Sequence, residues 1–118
     1  MAVVLPPGRR WTREQADAAL PGIDRLLESV MAMIGRHREG QITGADPRLV
    51  LQGVVDLLAV DGIVLRDLAR GLIDFPATAP SGRDYWLCRV NGEESVEWWH
   101  WPEDGFAGRT SLDRDPPG

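Results

Sequence analysis

The feature that most constrains the fold of this chain is the stretch of residues 63–109, which holds four of the five tryptophans and the single cysteine. Within it, Asn91-Gly92 lies between two largely apolar runs, residues 85–90 and 96–101. This dipeptide tolerates positive φ at both central positions of a type I′ turn. The pattern therefore predicts a β-hairpin in a small antiparallel sheet.

The length of the hairpin loop decides which residues of the two strands lie opposite each other. A two-residue loop places Leu87 opposite Val96, and a four-residue loop places Leu87 opposite Trp98. Both registers predict the same two faces, because side chains alternate with a period of two. One face would carry Tyr85, Leu87, Arg89, Val96, Trp98 and His100, and the other Trp86, Cys88, Val90, Glu97, Trp99 and Trp101.

Tryptophans therefore fall on both predicted faces of the hairpin. Helices can cover only one of them, so the rings of Trp86, Trp99 and Trp101 need another cover. Aromatic clusters carry interface energy, and twofold dimers are the commonest assembly. We expect these three residues to form an interface in a homodimer or a larger protein assembly. The alternative is that the N-terminal leader, residues 1–10, or the C-terminal tail, residues 110–118, folds over that face.

The residues before the hairpin show the pattern of two helices. Thr12 precedes Gln15 by three residues, the spacing of a capping box, and apolar residues then recur at helical spacing. Pro21 interrupts this pattern, so we expect a kink or a restart there. Asp46-Pro47 predicts the start of a second helix, because Asp46 can serve as its N-cap and Pro47 fits its first turn. The second apolar stripe consists of Leu49, Val50, Val54, Leu57 and Leu58.

Together these elements predict an α+β fold: a kinked N-terminal helical hairpin packed on one face of a three- to four-stranded antiparallel sheet. Residues 62–67 and 71–76 supply the first two strands. The expected bounds are a single domain at 1–109, with its helical part at 12–61 and its sheet part at 62–109, and a flexible C-terminal tail at 110–118.

Composition argues against several classes of partner. The net charge of -5 and the sequence pI near 4.9 disfavour a phosphate backbone, so no nucleic acid is expected. No run approaches the roughly 18 apolar residues of a membrane span. One cysteine cannot form an internal disulfide, and with no targeting segment in view we expect a cytoplasmic protein.

Cys88 and His100 are the residues that would form a nucleophile dyad or two ligands of a metal. The predicted register places them on opposite faces, which disfavours the pair unless a bulge at Glu93-Glu94 shifts it. A lone cysteine in a strand is usually a small buried apolar residue. No second cysteine or suitably spaced histidine supports zinc, so we expect no metal and no cofactor.

His100 is the more interesting candidate, because Asp74 could orient it as an acid, a base or a ligand. A satisfied, half-buried histidine is the alternative. Arg70 and Arg109 are the candidates to pair with Asp74. Arg109 could also bind an anion together with the backbone of Gly105, Phe106 and Gly108, although a plain turn explains that glycine-rich segment equally simply.

Several motifs resemble a bacterial family catalogued as the domain of unknown function 2203. They are WTREQADAALP at 11–21, GLIDFPA at 71–77, Leu87-Cys88, Trp99-His100 and GFAGR at 105–109. The chain departs from the family pattern at Arg89, where tryptophan is usual. The resemblance carries no assigned activity. It implies that Asp74, Trp99, His100, Phe106 and Arg109 occupy motif positions.

Two hypotheses follow. The first is a non-catalytic protein-protein interaction or dimerisation module, motivated by tryptophans on both faces. The second is a small enzyme or a ligand- or anion-binding protein that uses His100, Asp74 and Arg109. The second requires Asp74 and His100 to share a face, within hydrogen-bond reach and beside one cavity.

Overall fold

The computed structural model describes residues 5–40 and 46–112 and shows an α+β fold, as predicted. Two helices, α1 (Arg13–Arg38) and α2 (Pro47–Val60), precede the sheet. The strands are β1 (Val64–Asp67), β2 (Leu72–Thr78), β3 (Asp84–Arg89), β4 (Trp98–His100) and β5 (Thr110–Ser111). Their spatial order is their chain order, and each neighbouring pair is antiparallel.

The sheet has five strands rather than three or four because Thr110–Ser111 pairs with β4. Two residues of the predicted C-terminal tail thus belong to the sheet, and Leu112 packs against the core. The remainder of that tail, residues 113–118, lies outside the described part of the chain. In the described ranges no helix has the length and apolar character needed to cross a membrane.

Helix α1 begins at the predicted capping box. The Thr12 hydroxyl accepts from the Gln15 N–H at 3.1 Å, and the Gln15 side chain accepts from the Thr12 N–H at 3.1 Å. The helix continues through Pro21 to Arg38, so the restart considered at Pro21 is wrong. Pro21 removes only the bond to the carbonyl four residues earlier, while buried residues on both sides hold the helix on the sheet.

Helix α2 begins as predicted, with the Asp46 carboxylate accepting from the Arg48 N–H at 2.9 Å. Its apolar stripe is narrower than the sequence suggests. Val54 and Leu58 are buried, but Leu49 and Leu57 are 72% and 59% exposed. This difference arises because α2 touches the core along one edge only.

The hairpin between β3 and β4 differs most from the prediction. Leu87 pairs with Trp99, and Cys88 pairs with Trp98, so the register is shifted by one residue from the predicted four-residue-loop pairing. A shift of one exchanges the faces of β4, and the predicted face assignment is wrong for Trp98, Trp99 and His100. His100 consequently lies on the face away from the helices, not on the core face.

The eight-residue loop 90–97 explains this register. The Glu93 N–H donates to the Val90 carbonyl at 3.1 Å, and Gly92 has φ 98°, but Asn91 does not have positive φ, so the turn is not type I′. The Val96 N–H donates to the Asp17 carboxylate of α1 at 2.6 Å, and the Val96 side chain is fully buried. Attachment to α1 thus overrides the local preference for a two-residue turn.

The face of the sheet toward the helices is an apolar core. Ile73, Phe75 and Leu87 are fully buried there. Trp11 packs edge-on against Phe75, with ring centroids 5.2 Å apart, and its indole N–H donates to the Asp61 carbonyl at 2.9 Å. The Trp11 backbone N–H also donates to the Pro76 carbonyl at 2.7 Å, which ties the start of α1 to β2.

The three tryptophans expected at an interface do not form one surface. Trp86 lies on the outer face, whereas Trp99 lies with Leu87 on the helix-facing side, and both are buried within the single chain. Trp99 and Trp101 contact each other edge-to-face at 4.9 Å. Two other chain segments lie beside the outer face. The leader lines a cavity together with Trp86, and residues of 102–106 line another together with Cys88.

Candidate functional site

Three neighbouring strands place one chemically active side chain each on the outer face. Asp74 of β2 pairs directly with Cys88 of β3, and His100 of β4 pairs with Trp86, the outward-facing residue next to Cys88 along β3. A carboxylate oxygen, the thiol sulfur and an imidazole nitrogen of these residues all lie within 4.8 Å of one another. All three residues are buried, so the sheet register builds a compact O, S and N cluster.

The prediction that Cys88 and His100 lie on opposite faces is therefore wrong. The change of hairpin register moves His100 to the outward side, and it simultaneously brings His100 to Asp74. The sequence pattern contained all three residues, but their assembly depends on a loop length that the pattern did not fix.

Asp74 is 2% exposed and only partly paired. Its Oδ2 atom accepts from Nε of Arg66 at 2.9 Å and lies 3.0 Å from Nε2 of His100. Its Oδ1 atom is buried and has no hydrogen-bond partner among the described residues. The expectation that Arg70 or Arg109 pairs with Asp74 is wrong, because the irregular register of β1 after Leu65 brings Arg66 to this carboxylate instead.

His100 is held by a second contact, at the other nitrogen of its ring. Nδ1 lies 2.8 Å from the Trp101 carbonyl, which can only accept, so Nδ1 carries a proton. Burial lowers the pKa of His100, but the hydrogen bonds to Asp74 and to the Trp101 carbonyl, together with the Asp74 charge, outweigh it, and the pKa is raised. The ring is thereby fixed in orientation, with Nε2 directed at Asp74.

Cys88 is fully buried beside this pair. Burial, reinforced by the negative charge of Asp74, raises the pKa of the Cys88 thiol to about 12. A cysteine nucleophile reacts as the thiolate, and this environment favours the protonated thiol. The cluster is therefore not arranged as a cysteine-nucleophile site.

A cavity of about 260 Å³ opens beside the cluster. It meets the requirement set by the sequence, because Asp74 and His100 share a face, lie within hydrogen-bond distance and line the same space. Its lining consists of Arg66, Leu72, Asp74, Cys88, His100, Pro102, Gly105 and Phe106. A larger cavity of about 370 Å³ between the leader and the sheet edge is lined mainly by apolar residues and arginines, and contains no His, Cys or Asp.

The glycine-rich segment contributes walls rather than anion donors. The N–H groups of Gly108 and Arg109 donate within the segment, to the carbonyls of Gly105 and Phe106 at 3.2 and 3.1 Å. The Arg109 guanidinium pairs with Glu93 at 2.6 Å and stacks on Trp98. Gly105 and Phe106 line the cavity, whereas Gly108 and Arg109 do not.

Arg89, the departure from the family pattern, is on the helix-facing side and takes no part in this cavity. It is 3% exposed, and its guanidinium pairs with both carboxylate oxygens of Asp24 in α1.

Sequence reasoning missed Arg66 altogether. The alternation of β1 could have placed Arg66 on the same side as Val64, the residue opposite Asp74.

Comparison with known proteins identifies a family and nothing beyond it. No curated protein sequence and no solved structure matches this chain. A family model described as "Uncharacterized conserved protein (DUF2203)" matches residues 37–112, more than half of the chain. The match contains Asp74, Cys88 and His100 but begins near the end of α1, so the N-terminal part of the noted resemblance lies outside it. The chain belongs to the DUF2203 family.

Proposed function

We propose that this chain binds a small organic anion in the cavity beside Asp74 and His100. The observation that carries the proposal is the buried Asp74 carboxylate, which belongs to the lining of the cavity and has one oxygen without a hydrogen-bond partner among the described residues. Leaving a buried polar atom without a partner costs about 1–3 kcal/mol. A ligand that donates a hydrogen bond to Oδ1 would remove this cost on binding.

The anionic character of the ligand follows from Arg66, which lines the cavity, and from Arg70, which stacks on the lining residue Phe106. Arg66 uses only Nε on Asp74, so its two terminal nitrogens have no partner among the described residues. The Arg70 guanidinium stacks 4.4 Å above the Phe106 ring and, within the same residues, makes no hydrogen bond or ion pair.

The remaining walls suit the apolar part of such a ligand. Leu72, Pro102 and Phe106 line the same cavity as Arg66, Asp74 and His100. Small-molecule sites commonly combine apolar walls with a few convergent polar groups. The ligand class that fits is a small molecule with a carboxylate or phosphate at the arginine end and a hydroxyl or amine toward Asp74.

The interaction hypothesis loses its main support, since Trp86 and Trp99 are buried on opposite faces of the sheet. That this chain forms a homodimer or joins a larger assembly stays a prediction, and the molecular mass of the native protein in solution would test it. The ligand-binding hypothesis rests on a specific cavity and is the better supported of the two.

Titration of the isotope-labelled full chain with 4-hydroxybenzoate, and with phenyl phosphate as an anion that lacks the hydroxyl group, tests the proposal when it is followed by amide NMR. We expect shifts at residues 102–106 and around Cys88 and His100. Arg70→Ala should weaken binding about tenfold, because it removes a charge-assisted contact. Arg25→Ala, at an exposed position of α1, is the matched control and should bind as the parent does. Equal affinities of the two variants, or no shifts with either probe, would refute the proposal.

A further inference from the structure

We propose that Asp74, Cys88 and His100 bind a divalent transition-metal ion, with Zn²⁺ as the best fit, and leave one coordination position open to the cavity. This inference deepens the proposed function, because it places an anion-accepting centre at the same site. It does not depend on the identity of the organic ligand.

The donor geometry is close to that of a three-ligand site. Zinc bonds of about 2.0–2.3 Å place tetrahedral donors roughly 3.3–3.8 Å apart. The three donor atoms here lie within 4.8 Å of one another, and Oδ2 of Asp74 is already 3.0 Å from Nε2 of His100. Side-chain adjustments of about an ångström would close the set around one ion, without movement of the paired strands.

The orientation of His100 is that of a metal ligand. Since Nδ1 donates to the Trp101 carbonyl, Nε2 of a neutral ring presents a lone pair toward Oδ2 of Asp74, which is also an acceptor. Two acceptors that face each other need either a proton or a metal ion between them. Ligating histidines typically donate the other ring N–H to a carbonyl or a carboxylate, as His100 does.

A proton on Nε2 would satisfy this one contact but would leave Oδ1 of Asp74 without a partner among the described residues. The Cys88 thiol makes a side-chain hydrogen bond with Asp74, which holds its sulfur beside the carboxylate. A metal ion would use the imidazole nitrogen, the sulfur and a carboxylate oxygen together. Arg66, which donates to Oδ2 of Asp74, would then be the outer partner that orients the ligating carboxylate.

The donor types select the metal. Thiolate, imidazole and carboxylate together favour Zn²⁺ over Mg²⁺ or Ca²⁺, which prefer oxygen ligands only. On binding, the sulfur–metal bond replaces the S–H bond of Cys88, and the thiol proton passes to solvent. Two anionic ligands then balance the charge of the ion. Three protein ligands and one open position are typical of catalytic rather than structural zinc sites.

The test uses chelator-treated full-length protein titrated with Co²⁺ as a spectroscopic probe. We expect one equivalent to bind, with tetrahedral d–d bands in the visible and a thiolate-to-cobalt charge-transfer band in the near ultraviolet. Cys88→Ser should abolish the charge-transfer band and weaken binding by more than about 100-fold, beyond the effect typical of outer-shell changes. His37→Gln, which removes the other histidine, is the control and should leave both unchanged.

No stoichiometric Co²⁺ binding by the parent protein, or a Cys88→Ser variant with an unaltered spectrum, would overturn the inference. Should Cys88→Ser fail to fold, X-ray absorption of the parent zinc complex decides the question. One sulfur among nitrogen and oxygen donors supports the site, and no sulfur overturns it.

The two proposals fail separately. Arg70→Ala should bind Co²⁺ as the parent does, while it loses affinity for phenyl phosphate. If the open position faces the proposed ligand, adding phenyl phosphate to the cobalt protein should shift the d–d bands. Anion binding without metal binding would overturn the metal site alone, and metal binding without anion binding would overturn the proposed function alone.

Discussion

The two faces of the sheet are built from alternate residues of the same strands, yet they differ in kind. Toward the helices, Ile73 and Phe75 have no exposed surface and belong to a continuous apolar cluster. Asp74, which lies between these two residues in β2, faces outward to the buried Cys88 thiol, the buried His100 and a cavity. The first face is a completed core, whereas the second buries polar groups without satisfying all of them. Because side chains alternate along each strand, the residues that stabilise the core and the residues of the candidate site lie on opposite faces of the sheet.

The sharpest test of this comparison is to truncate one residue on each face. Phe75→Ala should lower the free energy of unfolding by about 3–5 kcal/mol, because it opens a cavity beside Trp11 in the apolar core. Cys88→Ala, equally buried on the outer face, should lower it by only about 1 kcal/mol. Urea unfolding in the presence of a chelator measures both. Equal losses would contradict the division between the faces.

Arg89 is the buried charge on the apolar side and should be the next most sensitive position. Arg89→Met leaves Asp24 of α1 without its partner, and we expect a loss of about 2–3 kcal/mol. The double variant with Asp24→Leu should recover part of that loss. Arg48→Ala, which breaks an exposed pair with Asp46, should change stability by less than about 1 kcal/mol. Thermal unfolding of the four proteins would show whether burial of the pair decides the effect.

The turn between β1 and β2 packs closely against the loop between β3 and β4 at Gly71. Gly71 has φ 58°, and a Cβ there would lie 2.5 Å from Cβ of Asn91. Gly71→Ala should therefore destabilise the fold by roughly 2 kcal/mol. Gly35→Ala, in α1 where a Cβ meets nothing within 4 Å, should instead be neutral or stabilise by up to about 1 kcal/mol. Denaturant titration of both variants checks the contrast, which an equal destabilisation would refute.

The smallest expected effect concerns the polar contacts that hold the leader over the outer face. The Arg10 guanidinium bonds both oxygens of Asp84, at 3.1 and 2.9 Å, and Thr78 donates to the same carboxylate at 2.9 Å. The hydrogen bond from Arg10 lowers the pKa of Asp84, with Thr78 adding to the effect against burial, which raises it. A lowered folded-state pKa stabilises the fold above the unfolded pKa of about 3.9.

That contribution is therefore full at neutral pH, and it is lost as the pH falls below about 4 and passes through the folded-state pKa. Asp84→Asn should lose about 1 kcal/mol at pH 7 and should show a flatter decline of stability between roughly pH 4 and pH 2 than the parent. Stability curves measured by urea unfolding at a series of pH values test this. If both proteins lost stability equally as the pH falls, Asp84 would not contribute to the pH dependence of stability.

Local sequence patterns predicted much of this fold. The capping box at Thr12, the Asp46-Pro47 start of α2 and the strand that contains Asp74 all depend on interactions within a few residues, and all are present. The prediction that Asp74 lies next to His100 also agrees with the structure. Its stated geometry was wrong, because the two residues meet on the outer face.

The candidate site was less predictable, since it depends on the register of β4. Asn91-Gly92 favours a short turn, but Asp17 and the burial of Val96 attach the loop to α1 and lengthen it to residues 90–97. A shift of one residue in the register of β4 places His100 on the same face as Cys88. No local sequence pattern predicts the long-range contact that causes this shift.

By itself, the sequence determined which residues can form helices, strands and turns, because those preferences are set by neighbours along the chain. It also supplied an aspartate, a cysteine and a histidine on three successive strands. Only the tertiary structure decided that their side chains meet, and that Arg66 joins them. The physical reason is that the face of a strand depends on the parity of its register, which packing between α1 and the hairpin loop fixes at a distance.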